Sequence, residues 1–288
     1  MRSLLFVPGD DERKIAKGLA SAADALILDL EDSVAQQRKP VARELCAATL
    51  AAGARMKLFV RINALDTPAA LLDLAAVVKA RPFGIMLPKC RGGDDVRLVS
   101  HYLTALEARE GLPPGDIRIL PIVTETGGSL FGLGSYDNPP IPRLCGMLWG
   151  GEDLAADLGA ITNRDEDGRY AAPYLLARSL CLFAAAAASV VAVDAVYTNF
   201  RDPAGLRKEA VEALRSGFSA KAAIHPDQIA VINEAFTPLV ADVEAARRVI
   251  AAFDATPGAG VVAVDGKMLD RPHYRTAQRV LARAVGVQ

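Results

Sequence analysis

The chain has 288 residues, 51% of them hydrophobic, enough for one large core and a modest extension beyond it. Lys and Arg total 33 against 34 Asp and Glu, so the net charge of -1 offers no general attraction to nucleic acid or an anionic membrane. The cysteines Cys46, Cys90, Cys145 and Cys181 stand far apart with no CxxC pair, which disfavours a zinc site or a disulfide framework and suits reduced thiols of a cytoplasmic protein.

The first apolar run, RSLLFVPGDD, is interrupted after a few residues by Pro8, Gly9 and Asp10, too soon for a signal peptide, and reads as a strand. Seven similar runs follow: ALILDLED, KLFVRIN, GIMLPK, RILPIVTE, GMLWGGED, VDAVYTN and AKAAIHP. Helical periodicity fills several gaps between them, over 11–22, 40–52, 68–78, 94–108 and 203–216, and proline near the start of several suits a first helical turn. Strand and helix in alternation imply right-handed crossovers and a parallel sheet. Eight strands close it into an α/β (β/α)8 TIM barrel, a fold of about 250 residues. The longest apolar run, around 180–193, falls short of the roughly 20 residues that span a bilayer and fits a buried helix followed by a strand.

Two connections are irregular. Residues 127–142 carry four glycines and three prolines, and 160–174 are rich in Asp, Arg and Asn; both are either lids over the barrel mouth or surface decoration. After the eighth strand, helices over 238–253 and 272–285 flank TPGAGVVAVDGKMLDRP, whose alternation suggests a short hairpin. We therefore divide the chain into a barrel, 1–236, and an extension, 237–288, which packs on a neighbouring subunit or caps its own barrel.

In such a barrel the active site is built at the C-terminal ends of the strands. Glu125 follows the fifth strand and Asp153 the sixth, so their carboxylates should converge on adjacent lips of one cavity, a donor set suited to Mg2+ with its remaining positions left to water and substrate. Asp29, Glu31 and Asp32, at the end of the second, could hold those waters. Alternatively these acids cap helices or pair with Arg and Lys. Arg61 closes the third strand with a fork fitted to a carboxylate or a developing oxyanion, although it could also neutralise Asp29 or Glu31. Lys89 is a Schiff-base candidate, but beside so many acids an ion pair is the favoured reading. A lone histidine, His225, receives no role. Arg2, Arg13, Lys14, Lys17, Arg38 and Lys39 form either a local anion-binding patch or solvated helix faces. The chain contains no P-loop, no GxGxxG after a strand and no GxSxG elbow, which argues against nucleotide hydrolysis, dinucleotide binding and α/β-hydrolase chemistry.

In this order the motifs SLLFVPGD, LILDLEDSV, FVRIN, LPK, IVTETGG, GGEDLAADLG, VDAVYTNFRD, AKAAIHPDQI and DGKMLDRP resemble the citrate lyase β-subunit-like branch of the HpcH/HpaI aldolase family. The resemblance covers nearly all of the chain. It implies a Mg2+-dependent TIM barrel, with Mn2+ as an alternative ion, that breaks or forms a carbon–carbon bond between a 2-oxo acid and an acyl-CoA, as malyl-CoA and citramalyl-CoA lyases do. Coenzyme A enters as part of the substrate. Carried over by position, Glu125 and Asp153 look like the metal ligands, Glu125 also facing substrate, and Arg61 like the residue that steadies substrate oxygens. Glu31 and Asp32 correspond to the acids that organise metal-bound water. Asp270 corresponds to an acid delivered by the extension of a neighbouring subunit, which implies a homo-oligomer, a dimer or trimer. Two other activities use the same barrel: a CoA-independent 4-hydroxy-2-oxo acid aldolase, and a β subunit acting on an acyl-carrier-protein thioester inside a citrate lyase complex.

Overall fold

The computed structural model describes residues 1–285; residues 286–288 of the expected extension lie outside them. Eight parallel strands form one sheet: β1 (Ser3–Pro8), β2 (Ala25–Asp29), β3 (Lys57–Arg61), β4 (Gly84–Leu87), β5 (Arg118–Pro121), β6 (Gly146–Leu148), β7 (Val191–Asp194) and β8 (Ala220–Ala223). Their order, β5-β4-β3-β2-β1-β8-β7-β6, brings the two edges together. Parallel bridges Ile119↔Leu144 and Ile122↔Leu148 close the barrel between β5 and β6.

The helices between strands follow the expected periodicity closely: α1 (Glu12–Leu19), α2 (Lys39–Ala52), α3 (Ala69–Val77), α4 (Gly93–Arg109) and, later, α8 (Pro203–Ser216). Local chemistry sets their starts. The Asp11 side chain accepts from Lys14 N at 3.0 Å to cap α1, and Asp202 accepts from Gly205 N at 2.9 Å to cap α8. The irregular 127–142 connection contains a one-turn helix α5 (Gly127–Leu130). The short α6 (Glu152–Asp157) follows β6, and α7 (Ala172–Ala187) takes up the long apolar run as a helix. The 160–174 connection is tied down rather than loose: Arg164 pairs with Glu209 at 2.8 Å and stacks 4.0 Å from the Tyr170 ring centre.

Alternation along the strands sorts side chains into two layers. Leu4, Ile27, Phe59, Met86, Leu120, Leu148, Val193 and Ala222 fill the barrel interior. Their neighbours in sequence, such as Leu5, Leu28, Val60 and Met147, are buried on the other face, under the helices. Two charged residues fall in that outer layer, Asp194 and Lys221. Lys221 Nζ, fully buried, donates to Asp194 Oδ2 at 2.7 Å, Glu209 Oε1 at 2.8 Å and the Ala195 carbonyl at 2.7 Å. Arg178 and the Trp149 indole N–H complete the cluster on Asp194 Oδ1, at 2.9 and 2.7 Å. Lys221 therefore belongs to the packing between sheet and helices and not to the barrel rim.

The chain separates into two compact units, Met1–Ile232 and Asn233–Gln288. In the second, α10 (Val240–Asp254) and α11 (Arg271–Val285) pack together, with Phe253 edge-on to Tyr274 at 5.2 Å. The expected hairpin is present as β9 (Val261–Val264) and β10 (Lys267–Asp270), joined by Asp265 and Gly266 at φ +50° and +75°, the conformation that an Asp-Gly turn supplies. The sequence reading omitted α6 and α9 (Gln228–Phe236) as elements. No helix among the described residues is long and apolar enough to cross a membrane.

The outer charge cluster yields the first expectation. Lys221→Met leaves Glu209 and Asp194 short of a buried cation, and should cost about 3–5 kcal/mol in urea-denaturation midpoints.

Candidate active site

The alternation that fills the barrel also decides what faces its mouth. One step beyond the core layer, the inward positions are Pro8, Asp29, Arg61, Gly150, Ala195 and Ile224, and all of them line one cavity of about 360 Å³. Its floor is apolar, formed by Phe6, Ile122 and Leu148. Glu125 and Asp153 line the same cavity, so the two expected ligands converge. Neither lies within a strand: Glu125 sits in the loop after β5 and Asp153 in the first turn of α6, because the strands themselves are only a few residues long.

Arg61 is placed by register. It pairs with Asp29 across β2 and β3, and both side chains therefore point the same way. The guanidinium donates through Nε to Asp29 Oδ1 at 2.6 Å and through Nη2 to Oδ2 at 2.7 Å. Backbone N–H groups of Glu31 and Ser33 donate to the same two oxygens, at 2.9 and 3.1 Å. Burial pushes the Asp29 carboxyl up, but the hydrogen bonds and charge of Arg61 outweigh it and hold the group below the usual carboxylate range. Arg61 Nη1 stands 3.0 Å from Glu31 Oε2, which accepts no hydrogen bond from the described residues. Of its five N–H groups, Arg61 gives two to Asp29 and stands against Glu31 through Nη1, which leaves two.

Lys89 is an ion-pair partner. Its Nζ lies 2.5 Å from Glu31 Oε1, 3.2 Å from Asp32 Oδ2 and 3.8 Å from Asp153 Oδ1. Those acids outweigh its partial burial and raise its pKa, which keeps the amine protonated and unfit as a Schiff-base nucleophile. Its backbone N–H donates to Glu125 Oε2. The sequence reading missed that bond, and it missed Gly150, where a Cβ would stand 2.7 Å from Glu125 Cγ; only glycine leaves room for this carboxylate. Glu31 is pushed up mainly by burial. Glu125 is pushed up to about 8, first by burial and then by the negative charge of Asp153.

This arrangement fits a hard dication. Asp29, Glu31, Asp32, Glu125 and Asp153 face only Arg61 and Lys89, Glu31 Oε2 is buried without a hydrogen bond, and Glu125 ionises only against a strong electrostatic penalty. Among the described residues no group of three or more His, Cys, Asp or Glu side chains is arranged to hold a metal. Glu125 and Asp153 would then be two protein ligands, with other positions open to water and substrate, the manner in which Mg2+ is usually bound.

Of the early basic residues, Arg2, Lys14 and Arg38 are paired with Asp24, Asp11 and Asp10, and Lys39 is only 8% exposed. Arg13, Lys14, Lys17 and Arg38 lie exposed, as the solvated faces expected of them, whereas Lys39 does not. Asp270 ends β10, exposed, with Oδ1 2.6 Å from His273 Nδ1.

A family model described as HpcH/HpaI aldolase/citrate lyase matches residues 2–226. The (3S)-malyl-CoA thioesterase of Cereibacter sphaeroides is 38% identical over 99% of this chain and 95% of its own length. The mitochondrial citramalyl-CoA lyase of Mus musculus is 35% identical over 100% of this chain and 87% of its own. A crystal structure of CitE from Mycobacterium tuberculosis in complex with magnesium, acetoacetate and coenzyme A superposes with a TM-score of 0.77, at 34% identity, covering 99% of this chain and 98% of that one.

The raised pKa of Glu125 sets the sign of a pH effect. In metal-free protein the folded state keeps this proton up to about 8, whereas the unfolded chain releases it near the ordinary glutamate value of about 4.3. The contribution of this group to stability is thus fully present below the unfolded value and is lost as pH rises toward 8. Glu125→Gln, neutral at every pH, should melt a few degrees above the wild type at pH 8.5 in chelator and show no advantage at pH 4, as read by calorimetry.

Proposed function

The chain belongs to the HpcH/HpaI aldolase/citrate lyase family, and on that premise we propose that it is a magnesium-dependent carbon–carbon lyase acting on a 3-hydroxyacyl-CoA such as malyl-CoA or citramalyl-CoA. Cleavage releases a 2-oxo acid and acetyl-CoA, and the reverse reaction joins them. The observation that carries this reading is the meeting of Glu125, Asp153 and Arg61 in one cavity with an apolar floor. Bound between Glu125 and Asp153, Mg2+ or Mn2+ would supply positive charge to the carboxylate and the neighbouring oxygen of the substrate.

The residues of the chain account for the rest. As the carbon–carbon bond breaks, the hydroxyl proton would pass to the water beside Glu31 and Asp32, and the hydroxyl carbon becomes the 2-oxo carbonyl. The acetyl fragment leaves as a thioester enolate, whose oxygen the unspent N–H groups of Arg61 suit. Because Asp29 fixes one edge of the guanidinium through two hydrogen bonds, the donor is aimed before substrate arrives and need not reorganise. Glu31 and Asp32, bridged by Lys89, would hold water beside the reacting oxygens. Phe6, Ile122 and Leu148 keep the floor dry, which strengthens each of these interactions. The proton that converts the enolate carbon to a methyl group comes from Asp270, which we assign to a second copy of the chain in a cytoplasmic homo-oligomer, a dimer or trimer.

A second reading has one specific support, the relative named a thioesterase. Under it the thioester itself is hydrolysed. The products separate the two.

Incubation of the purified protein with Mg2+ and a panel of malyl-, citramalyl- and methylmalyl-type CoA thioesters should yield acetyl- or propionyl-CoA and a 2-oxo acid by mass spectrometry. Free CoA with intact hydroxy acid would establish the thioesterase reading, and no consumption across the panel would reject both. Glu125→Gln and Asp153→Asn should each reduce metal-dependent cleavage to background; turnover of either in chelator would sink the metal assignment.

The second unit has its own test. Asp270→Asn should suppress exchange of the acetyl methyl protons with D2O. Co-expressed with Glu125→Gln, it should regain cleavage that neither variant shows alone, since one kind of mixed site then holds both native residues. A co-expressed pair as inactive as its members would place Asp270 in its own chain's site or outside the chemistry.

A further inference from the structure

The least expected feature near the mouth is a buried cation that touches no carboxylate in any of its three hydrogen bonds. Lys39, the first residue of α2, donates from Nζ to the carbonyls of Leu30 and Glu31, at 2.9 and 3.1 Å, and to Asn63 Oδ1 at 2.5 Å. All three of its protons are used on neutral oxygens. Asn63 in turn donates from Nδ2 to Leu30 O at 2.9 Å and to Asp73 Oδ2 at 2.6 Å, and its backbone N–H reaches the same Oδ2 at 2.8 Å. Arg43 Nε closes the series on Asp73 Oδ1 at 2.7 Å.

Burying a charge against carbonyls is a poor way to gain stability, and an apolar side chain of similar volume would serve packing as well. What the charge does accomplish is to hold the Leu30 and Glu31 carbonyls toward α2. The N–H groups of Glu31 and Ser33 then meet the two oxygens of Asp29. Asp29 is the group that orients Arg61. We infer that Lys39 and Asn63 are positioning residues: they lock the loop after β2 so that Asp29 presents Arg61 to the enolate oxygen. The inference rests on the role proposed above for Arg61.

Kinetics can separate positioning from simple support. Lys39→Met should lower kcat for the CoA thioester by about 10- to 100-fold, with KM changed less than about twofold, the size expected when an aimed group is displaced by a fraction of an ångström to an ångström. Asn63→Ser, which keeps the backbone bond to Asp73 and removes the side-chain bonds to Leu30 O, Lys39 and Asp73, should show the same split and carries the test if Lys39→Met does not fold. In an Arg61→Lys background, where the fork is already gone, either substitution should cost less than about twofold. Equal losses in the two backgrounds, or a kcat unchanged by both substitutions, would overturn the inference while leaving Arg61 in place. Wild-type turnover by Arg61→Lys would instead remove the role of Arg61 itself, and the inference with it.

Discussion

The mouth of this barrel depends on one pairing, Asp29 with Arg61 across β2 and β3. In a parallel sheet neighbours in register share a face, so a carboxylate at the last position of β2 and a guanidinium at the last position of β3 must meet. The meeting is two-pronged, and the Asp29 oxygens are further bound by two backbone N–H groups. A planar fork held by two bonds along one edge keeps little rotational freedom. Glu31 and, through it, Lys89 are then placed against an arginine already oriented by Asp29.

Two buried charge clusters, on opposite faces of the same sheet, show how their balance differs. Outside the barrel Lys221, Arg178 and Arg164 meet Asp194, Glu209 and Glu212, one acid for each base. There burial pushes Asp194 up, yet Lys221 and Arg178 outweigh it and hold the group below its ordinary range. Inside the mouth five acids share Arg61 and Lys89, and Glu125 rises to about 8. A cluster that is neutral in itself ties elements together. One that is short of positive charge is suited to take up more, and this is the support for the ion proposed above at Glu125 and Asp153.

Most of the barrel was legible because its strands are buried on both sides and read as short apolar runs, each punctuated by polar residues. The meeting of Glu125, Asp153 and Arg61 in one cavity was legible because strand ends of this fold converge on one mouth. Two lysines lie where their residue type would not suggest. Lys221 and Lys39 look like surface residues in composition, yet both ammonium groups are enclosed. For Lys221 a signal existed: in AKAA the alanines at 220 and 222 face inward, so the intervening residue must face the helices. For Lys39 none did, since its partners are backbone carbonyls whose direction no sequence pattern records. The bond from the Lys89 backbone to Glu125 and the clearance at Gly150 were hidden for the same reason.

The mouth's commitments also bear on where the proton carrier can be. Arg61 is oriented by Asp29, Lys89 by Glu31, and Glu125 by the Lys89 N–H, so each of these groups is held in one orientation. A proton carrier needs the opposite properties: it must change protonation within each cycle and reach a carbon atom, which offers no fixed hydrogen bond. Asp270 is exposed, ends the second strand of the hairpin and contacts His273. Under the assignment of Asp270 proposed above, the fixed charges belong to the barrel and the proton carrier to the second unit, so each can be built without compromising the other.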